Sequence, residues 1–333
     1  MRVTRLLFWL AFGALLLPAL PLTLNRLIDS SAGPAVRIQS FTPLAVPLYA
    51  VALLMLVVAL ILGHAGPRRT VAGVLVALLV PLGAHLWWLA PAFVGDNPRP
   101  AAGSTPLVVL NANLYAGAAD ADQLVEVIET DDVQVAVFEE ITFGALRALE
   151  AAGIDDLLPF RVGEPNGAVD GTMVFARDPL TGATRLPTNF QSWQVEVSDP
   201  DGGDDPLTLI AAHPTAPVAM AASTWQSEHR ILRAAAESAG ADLVLGDLNA
   251  SSDHAEMRAW YDAGWADSLE RVNAGWSPTW PSNGITPFPG VSPPALFQLD
   301  HVLVGPRLSV TDSRTIVIAG SDHRAVIATV ARR

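Results

Sequence analysis

The sequence contains no cysteine and no lysine. Disulfide bonds and thiolate metal sites are therefore excluded, and cysteine usage says nothing about the redox compartment. Arginine supplies every permanently positive side chain, 20 in all, against 33 acidic residues. Positive charge is thus scarce, and any basic surface would have to be local.

The scarce positive charge is also unevenly distributed. Residues 1–100 carry seven arginines and two acidic residues, whereas residues 101–333 carry 13 arginines and 31 acidic residues. Nonspecific binding to nucleic acid depends on basic side chains that neutralise phosphates. The strongly acidic second region therefore makes nucleic acid an unlikely partner.

Three long apolar stretches without charge lie near the start of the chain. Residues 6–24, 41–63 and 71–95 contain no charged side chain. Each is close to the roughly 20 apolar residues that a helix needs to cross a bilayer. We predict a membrane region over residues 1–96 with three transmembrane helices, and we expect His85 to sit at the membrane interface beside Trp87 and Trp88.

Basic residues next to these segments predict their orientation. Arg2 and Arg5 precede the first segment, and Arg68 and Arg69 lie in the turn between the second and third. Arg26 and Arg37 lie in the opposite loop and reduce the difference in charge between the two sides. Because cytoplasmic loops are enriched in arginine, the N-terminus is predicted to be cytoplasmic and the region after residue 96 extracytoplasmic. The first segment could instead be a cleaved signal peptide, which would leave that placement unchanged.

The region that follows alternates short apolar runs with helical patterns. Residues 97–106 form a polar, proline-containing linker, and a domain is predicted over residues 107–333. Strands are predicted at 107–114, 133–141, 171–177, 193–197, 207–213, 241–249, 299–305 and 325–330, and helices at 120–130, 143–153 and 224–240. This is a mixed α/β pattern.

The predicted strands repeatedly end in polar residues. The stretch LVLGDLNAS, residues 243–251, ends an apolar run in Asp247 and Asn249. Residues two apart in a strand point to the same face, so this carboxylate and amide would project together. Similar positions hold Asn113, Glu139, Glu140, His213, Asp300, His301, Asp322 and His323. Any one of these is typical of a turn or a helix cap, but together they indicate a catalytic site.

The order of these residues resembles the endonuclease/exonuclease/phosphatase superfamily. The resemblance covers residues 105–332 and rests on Asn113, Glu140, His213, GDLN at 246–249, LDH at 299–301 and SDHR at 321–324. The superfamily includes metal-dependent nucleases, neutral sphingomyelinases and inositol-phosphate phosphatases. It implies a four-layer α/β sandwich with two facing sheets and an active site at one end.

Two positions leave a choice within this resemblance. The chain has Glu139-Glu140 where the family most often has Gln-Glu, and strand alternation and family position favour Glu140 as the metal ligand. The first strand offers Asn111 and Asn113, and Asn113 is preferred because an aliphatic residue, Leu114, follows it.

The resemblance implies a divalent cation held by Glu140, with Asn113 and Asp322. Oxygen ligands without thiols favour Mg²⁺ or Mn²⁺. Such a cation would polarise a phosphoryl oxygen and neutralise charge that develops in the transition state.

The remaining residues receive catalytic roles by the same resemblance. Asp247 would orient or deprotonate the attacking water, and Asn249 would hold that water or a phosphate oxygen. Asp300 would orient His323, which would bind phosphate or transfer a proton. His213 would protonate the leaving group.

The membrane segments narrow the expected substrate. A domain held at the outer surface meets lipid head groups at high effective concentration, and the arrangement resembles the membrane-anchored branch that includes teicoplanin-resistance proteins. We therefore predict a phosphohydrolase that acts on a phospholipid or a polyprenyl-linked phosphate. An extracellular metal-dependent nuclease would use the same residues. A non-catalytic binding module should lack a catalytic residue, and every expected type is present.

Aromatic residues cluster in the last third of the domain, namely Trp260, Trp265, Trp276, Trp280, Phe288 and Phe297. Amphipathic rings on a tethered domain can enter a membrane interface. Packing inside the sandwich is the interpretation we favour for most of them.

Overall fold

The structure is a computed structural model that describes residues 2–62, 67–284 and 293–333. The chain divides into two compact units, Met1–Pro91 and Ala92–Arg333, which are considered separately below. Phe288 lies outside the described residues.

The first unit is helical. It comprises α1 (Arg2–Ile28), α2 (Gly33–Gln39), α3 (Ala45–Ile61) and α4 (Arg68–Leu89). Three stretches are long and apolar enough to cross a membrane, Leu6–Ile28, Thr42–Ile61 and Arg69–Ala92. The three apolar segments of the sequence are therefore helices, although their ends differ from the predicted ends by a few residues.

Polar side chains meet inside this unit. The hydroxyl Oγ1 of Thr23 lies 2.7 Å from the Tyr49 hydroxyl and 2.9 Å from Nε2 of His85. All three residues are buried. Buried polar groups are costly unless they are hydrogen-bonded, so this network joins three helices at one point. His85 thus faces the other helices of the unit.

In its described residues, 92–284 and 293–333, the second unit contains twelve strands and six helices. The strands are β1 (Leu107–Asn113), β2 (Val135–Glu139), β3 (Phe160–Glu164), β4 (Thr172–Ala176), β5 (Leu180–Arg185), β6 (Trp193–Val197), β7 (Leu207–Ala211), β8 (Leu243–Asp247), β9 (Ala266–Asp267), β10 (Asp300–Val304), β11 (Leu308–Val317) and β12 (Arg324–Arg332). The helices are α5 (Ala121–Thr130), α6 (Phe143–Ala152), α7 (Ile154–Leu157), α8 (Ala222–Ala239), α9 (Ala255–Asp262) and α10 (Ser268–Arg271).

The strands form two mixed sheets of six. Their orders are β11-β12-β1-β2-β4-β3 and β5-β6-β7-β8-β10-β9. Alternate residues of each central strand face opposite ways: Val109 and Val137 pack between the sheets, whereas Leu110 and Phe138 pack under α5 and α6. Burial on both faces explains the nearly continuous apolar runs of these strands. The predicted four-layer α/β sandwich is confirmed.

Four strands, all at sheet edges, were not predicted from the sequence, and one of these is the two-residue strand β9. β3, β5 and β11 lie at sheet edges and expose many of their side chains. Such strands lack the apolar run or the strict alternation that identifies a strand in sequence. Polar side chains on edge strands also discourage pairing with other chains.

The clustered aromatic residues occupy different environments. Trp260 and Phe297 are buried, and Trp280 stacks on Phe297 with ring centroids 5.9 Å apart. Trp265 packs edge-on against Trp260. Trp276 differs, with 43% of its surface exposed.

Candidate active site

Sheet topology brings the polar strand ends to one end of the sandwich. β1 and β2 are parallel, so Asn113 lies beside Glu139. β10 is antiparallel to β8, so its first residue, Asp300, pairs with the last residue of β8, Asp247. β12 is antiparallel to β1, which places the SDHR segment near the end of β1. Parallel neighbours contribute their ends and antiparallel neighbours contribute their starts.

Asn113 connects the two sheets at this end. Its Nδ2 donates to Oε1 of Glu140 at 3.2 Å and to Oδ2 of Asp247 at 3.0 Å. Its Oδ1 accepts a hydrogen bond from the backbone N–H of Tyr115 at 2.9 Å. The side chain therefore presents its donor, rather than its oxygen, to the two carboxylates.

The two adjacent glutamates have separate environments. β2 ends at Glu139, and Glu140 then adopts a left-handed conformation with φ of 54°. This conformation is unfavourable for a residue with a Cβ and is concentrated at functional sites. It turns Glu140 towards Asn113, and the backbone N–H of Ala116 donates to its Oε2 at 2.7 Å. A left-handed turn, and not strand alternation, thus brings Glu140 to the site.

Glu139 instead faces the opposite sheet and has no exposed surface. Neither of its carboxyl oxygens has a partner among the described residues. Burial, with the nearby charges of Asp300 and Asp247, raises the pKa of Glu139 well above its usual value, and burial also raises the pKa of Glu140. Asn111, the alternative to Asn113, is likewise buried without a side-chain partner in the described chain.

Asp247 and Asn249 meet through a turn. β8 ends at Asp247, and Asn249 has φ of 49°, so Asn249 is not part of the strand as the alternation argument assumed. The backbone N–H of Asn249 donates to Oδ1 of Asp247 at 2.9 Å, as in an Asx-turn. Its Nδ2 donates to the carbonyl of Pro214 at 3.0 Å. Burial raises the pKa of Asp247, although His323 lowers it.

His323 forms a buried pair with Asp300. Its Nδ1 lies 2.8 Å from Oδ2 of Asp300, while its Nε2 lies 3.7 Å from Asp247 and 3.9 Å from Asp322. Burial lowers the pKa of His323, but Asp300 and Asp247 raise it more, to about 10. At neutral pH the ring is therefore an imidazolium. One N–H is fixed by Asp300 and the other is directed between Asp247 and Asp322.

His213 provides a second, neutral imidazole. It follows β7, is buried, and packs against Phe190 with ring centroids 4.9 Å apart. Its backbone N–H donates to Oγ of Ser192 at 3.1 Å, and its Nδ1 has no partner in the described part of the chain. Burial lowers the pKa of His213 to about 4.

Several residues that support the site were not predicted. Oγ1 of Thr279 accepts hydrogen bonds from the backbone N–H groups of Leu299 and Asp300, at 3.0 and 3.2 Å. Oγ of Ser321 donates to the carbonyl of Asn113 at 2.8 Å and accepts from the backbone N–H of His323 at 3.0 Å. These bonds join segments that are distant in sequence. The only sequence signal for them is the presence of a serine or threonine close to a motif.

Asp322 is oriented by Trp280. The indole Nε1 of Trp280, in the segment PTWP at residues 278–281, donates to Oδ2 of Asp322 at 3.0 Å. The other oxygen, Oδ1, is buried and has no hydrogen-bond partner among the described residues. Burial raises the pKa of Asp322.

The donors at this end of the sandwich fit a divalent cation. Asp247, Asp300 and His323 place possible ligand atoms within 4.8 Å of one another. His323, however, is cationic and hydrogen-bonded to Asp300, so these three form a hydrogen-bonded array more readily than a ligand set. The carboxylate oxygens of Glu140 and Asp322, the latter with an unpartnered atom, are the hard donors that Mg²⁺ and Mn²⁺ prefer.

Known structures share this fold. The chain matches D. rerio TDP2 complexed with single-strand DNA product with a TM-score of 0.55 and 16% identity, covering 68% of this chain and 98% of that one. It matches 3′ phosphatase NExo from Neisseria, bound to a product DNA hairpin, at 0.51 and 16%, covering 67% and 98%. The mannosyl-6-phosphatase Bt3783 of Bacteroides thetaiotaomicron gives 0.50 and 15%, covering 67% and 99%.

Sequence comparison identifies the family. No curated protein sequence matches the chain. The sequence profile described as "Endonuclease/Exonuclease/phosphatase family" matches residues 109–323, a range that contains all eight predicted site residues. The protein therefore belongs to the endonuclease/exonuclease/phosphatase family, and like the other members it is a metal-dependent hydrolase of phosphoester bonds.

Proposed function

We propose that the protein is a membrane-anchored, extracytoplasmic phosphohydrolase whose substrate is a phospholipid or a polyprenyl-linked phosphate of the cell envelope. The observation that carries this proposal is the union, in one chain, of a phosphoesterase site with three helices apolar enough to cross a bilayer. A tether of this kind keeps the site at high effective concentration relative to lipid phosphates. It fits the membrane-anchored branch that the sequence resembles.

The attacking water would be activated at Asp247. Its two carboxylate oxygens are held by Asn249 and Asn113, so the side chain has little freedom to rotate. The raised pKa of Asp247 makes it a better proton acceptor than an exposed aspartate. The water oxygen would form the new bond to phosphorus as the bond between phosphorus and the leaving oxygen breaks, and the proton of the water would pass to Asp247.

The phosphoryl group would be held by His323. The imidazolium directs its Nε2 towards the space bounded by Asp247 and Asp322, where it would neutralise the phosphoryl oxygens. Asp300 fixes the ring orientation through Nδ1. Glu140 and the unpartnered oxygen of Asp322 would hold Mg²⁺ or Mn²⁺, which when bound supplies further charge neutralisation.

The leaving oxygen would be stabilised by His213. Because burial lowers its pKa to about 4, the ring is neutral at pH 7 and would donate a hydrogen bond rather than carry a charge. Asn113 would act as a donor that spaces Glu140 and Asp247, since its own oxygen is taken by Tyr115.

The competing nuclease function has one observation in its favour, namely that two of the similar structures contain product DNA. The excess of acidic residues after position 100 disfavours a long polyanion. The lipid proposal is therefore the stronger of the two.

Full-length protein in detergent or lipid vesicles should be assayed with Mg²⁺ or Mn²⁺ for phosphate or head-group release. The panel would contain phospholipids, undecaprenyl phosphates and pyrophosphates, inositol phosphates and DNA, with Asp247→Ala as the control. We expect metal-dependent hydrolysis of a lipid substrate that is lost in the variant. Cleavage of DNA alone would replace the lipid proposal by the nuclease.

A further inference from the structure

Helix α8 carries two adjacent buried polar side chains that the proposed mechanism does not use. Glu228 exposes 2% of its surface and His229 exposes none. Both lie on the face of α8 that also buries Trp225 and Leu232. Burying such groups is costly unless hydrogen bonds compensate, so the partners of each side chain indicate its role.

Glu228 holds the segments on both sides of His213. Its Oε1 accepts from the backbone N–H and from Nδ2 of Asn189, both at 2.7 Å. Its Oε2 accepts from the backbone N–H of Thr215 at 2.7 Å and from Oγ1 of Thr215 at 2.8 Å. Thr215 lies two residues after His213, and Asn189 precedes Phe190, on which the His213 ring packs. One carboxylate thus takes four donors around this histidine.

His229 holds the turn between Asp247 and Asn249. Its Nε2 lies 3.0 Å from the carbonyl oxygen of Leu248, while its Nδ1 accepts from the indole N–H of Trp260 at 3.4 Å. The indole can only donate, so Nδ1 is unprotonated and Nε2 carries the hydrogen that binds Leu248. Burial lowers the pKa of His229 to about 3, which keeps the ring in this neutral form.

The two supported segments are themselves linked. Asn249 donates from its side chain to the carbonyl of Pro214, between His213 and Thr215. Displacement of either segment would therefore disturb the other. Neither Glu228 nor His229 forms a hydrogen bond to a predicted site residue through its own side chain. Their bonds go to Asn189, Thr215, Leu248 and Trp260.

We propose that Glu228 and His229 are a pair of positioning residues that fix the spacing between His213 and the Asp247–Asn249 turn. This inference rests on the proposed hydrolysis, in which Asp247 acts on the attacking side and His213 on the leaving side. Because Glu228 and His229 are adjacent residues of one helix, α8 would fix the positions of both segments. A shift of about 1 Å in such a spacing can lower a rate on the order of 100-fold.

Three variants and one control test this pair in the full-length protein. Glu228→Gln replaces one acceptor oxygen by a donor that faces N–H groups. His229→Leu removes the shorter of the two hydrogen bonds to the carbonyl of Leu248, the other coming from the Trp225 indole, whereas His229→Gln restores an N–H close to the position of Nε2. Glu237→Gln is the matched control, because Glu237 is an exposed glutamate on the same helix.

Steady-state kinetics on the substrate identified in the panel should separate kcat from KM. We expect Glu228→Gln and His229→Leu to lower kcat by about 10- to 100-fold with KM changed less than about threefold. His229→Gln should recover most of the lost kcat, and Glu237→Gln should match the unsubstituted protein. Equal losses in His229→Leu and His229→Gln, or full activity in Glu228→Gln, would overturn the proposal.

Hydrogen exchange provides a readout that does not need activity. Peptides covering residues 213–216 in Glu228→Gln and 246–250 in His229→Leu should exchange faster, whereas a β1 peptide, residues 107–113, should exchange at an unchanged rate. Unchanged exchange in both loops would contradict the inference whether or not a substrate is known. The unsubstituted protein could prove inactive on every substrate of the panel while exchange in the loops is still faster in the variants. That result would refute the proposed function and leave the positioning role of Glu228 and His229 intact.

Discussion

Two buried carboxylate–histidine pairs start from adjacent residues of β10, and their environments differ. His323 binds Asp300 at 2.8 Å, and His301, the neighbour of Asp300, binds Asp267 at 2.7 Å. Adjacent strand residues point to opposite faces, so one pair faces the site and the other faces away from it.

The difference lies in the second ring nitrogen. Nε2 of His301 donates to the carbonyl of Ala250 at 2.8 Å, so both nitrogens of this ring are used within the protein. Nε2 of His323 has Asp247 at 3.7 Å and Asp322 at 3.9 Å, both beyond hydrogen-bond distance. The same pair geometry therefore braces the fold in one place and, in the other, leaves a charged donor directed into the candidate site.

Asp300→Asn should have the largest effect. The amide cannot stabilise the imidazolium of His323 and favours the wrong tautomer, so kcat should fall about 1,000-fold. Circular dichroism should accompany the assay, because the change also removes the charged partner of a buried histidine. The assay is kcat on the substrate identified in the panel, and a decrease of less than about tenfold would show that the pair is not catalytic.

Glu140→Gln should weaken cation binding more than a change at the Asp300–His323 pair does. Loss of the carboxylate should raise the Kd for Mn²⁺ about 10- to 100-fold, while His323→Ala should leave it within about threefold. Mn²⁺ titration followed by electron paramagnetic resonance measures both. A larger effect of His323→Ala would place the cation at the Asp247, Asp300 and His323 group.

Asp267→Asn should affect stability instead of chemistry. It leaves the buried His301 without its charged partner, and breaking a buried pair costs roughly 3–5 kcal/mol. We expect the midpoint of thermal unfolding of the detergent-solubilised protein to fall by roughly 10 °C. Below that midpoint kcat should be unchanged, and a loss of kcat comparable to that of Asp300→Asn would abolish the distinction between the two pairs.

His229→Gln should have the smallest effect on activity, and its clearest effect should be on the pH dependence of stability. Burial lowers the pKa of His229 to about 3 in the folded protein, whereas an unfolded histidine titrates near 6.5, so the unfolded state takes up the proton first as pH falls. His229 therefore costs about 2 kcal/mol of stability between pH 7 and pH 5. Denaturant unfolding at both pH values should show a smaller acid loss in the variant, and equal losses would contradict the lowered pKa.

Much of the fold and the membership of the site could be predicted from sequence. Apolar runs such as residues 243–247 identify buried strands, and the polar residues that follow them reach one end of the sandwich through sheet topology. Edge strands such as β5 were missed because exposed strands carry no comparable pattern.

The detailed geometry could not be predicted, because it depends on turns and on distant partners. Glu140 reaches the site through a left-handed turn after β2 has ended, and not through strand alternation. Asn249 likewise lies in a turn that follows the end of β8 at Asp247. Thr279 binds Asp300, 21 residues away, and Glu228 binds Asn189, 39 residues away. No local sequence pattern encodes contacts over such separations.

The central claim is that one site, built around Asp247 and His323, hydrolyses lipid phosphates at a membrane. The most direct measurement is a competition in which full-length protein in vesicles receives equal concentrations of lipid phosphate and DNA phosphate with Mn²⁺. The account predicts that lipid phosphate is released first, and that Asp247→Ala abolishes this release. Degradation of DNA while the lipid remains intact would contradict it.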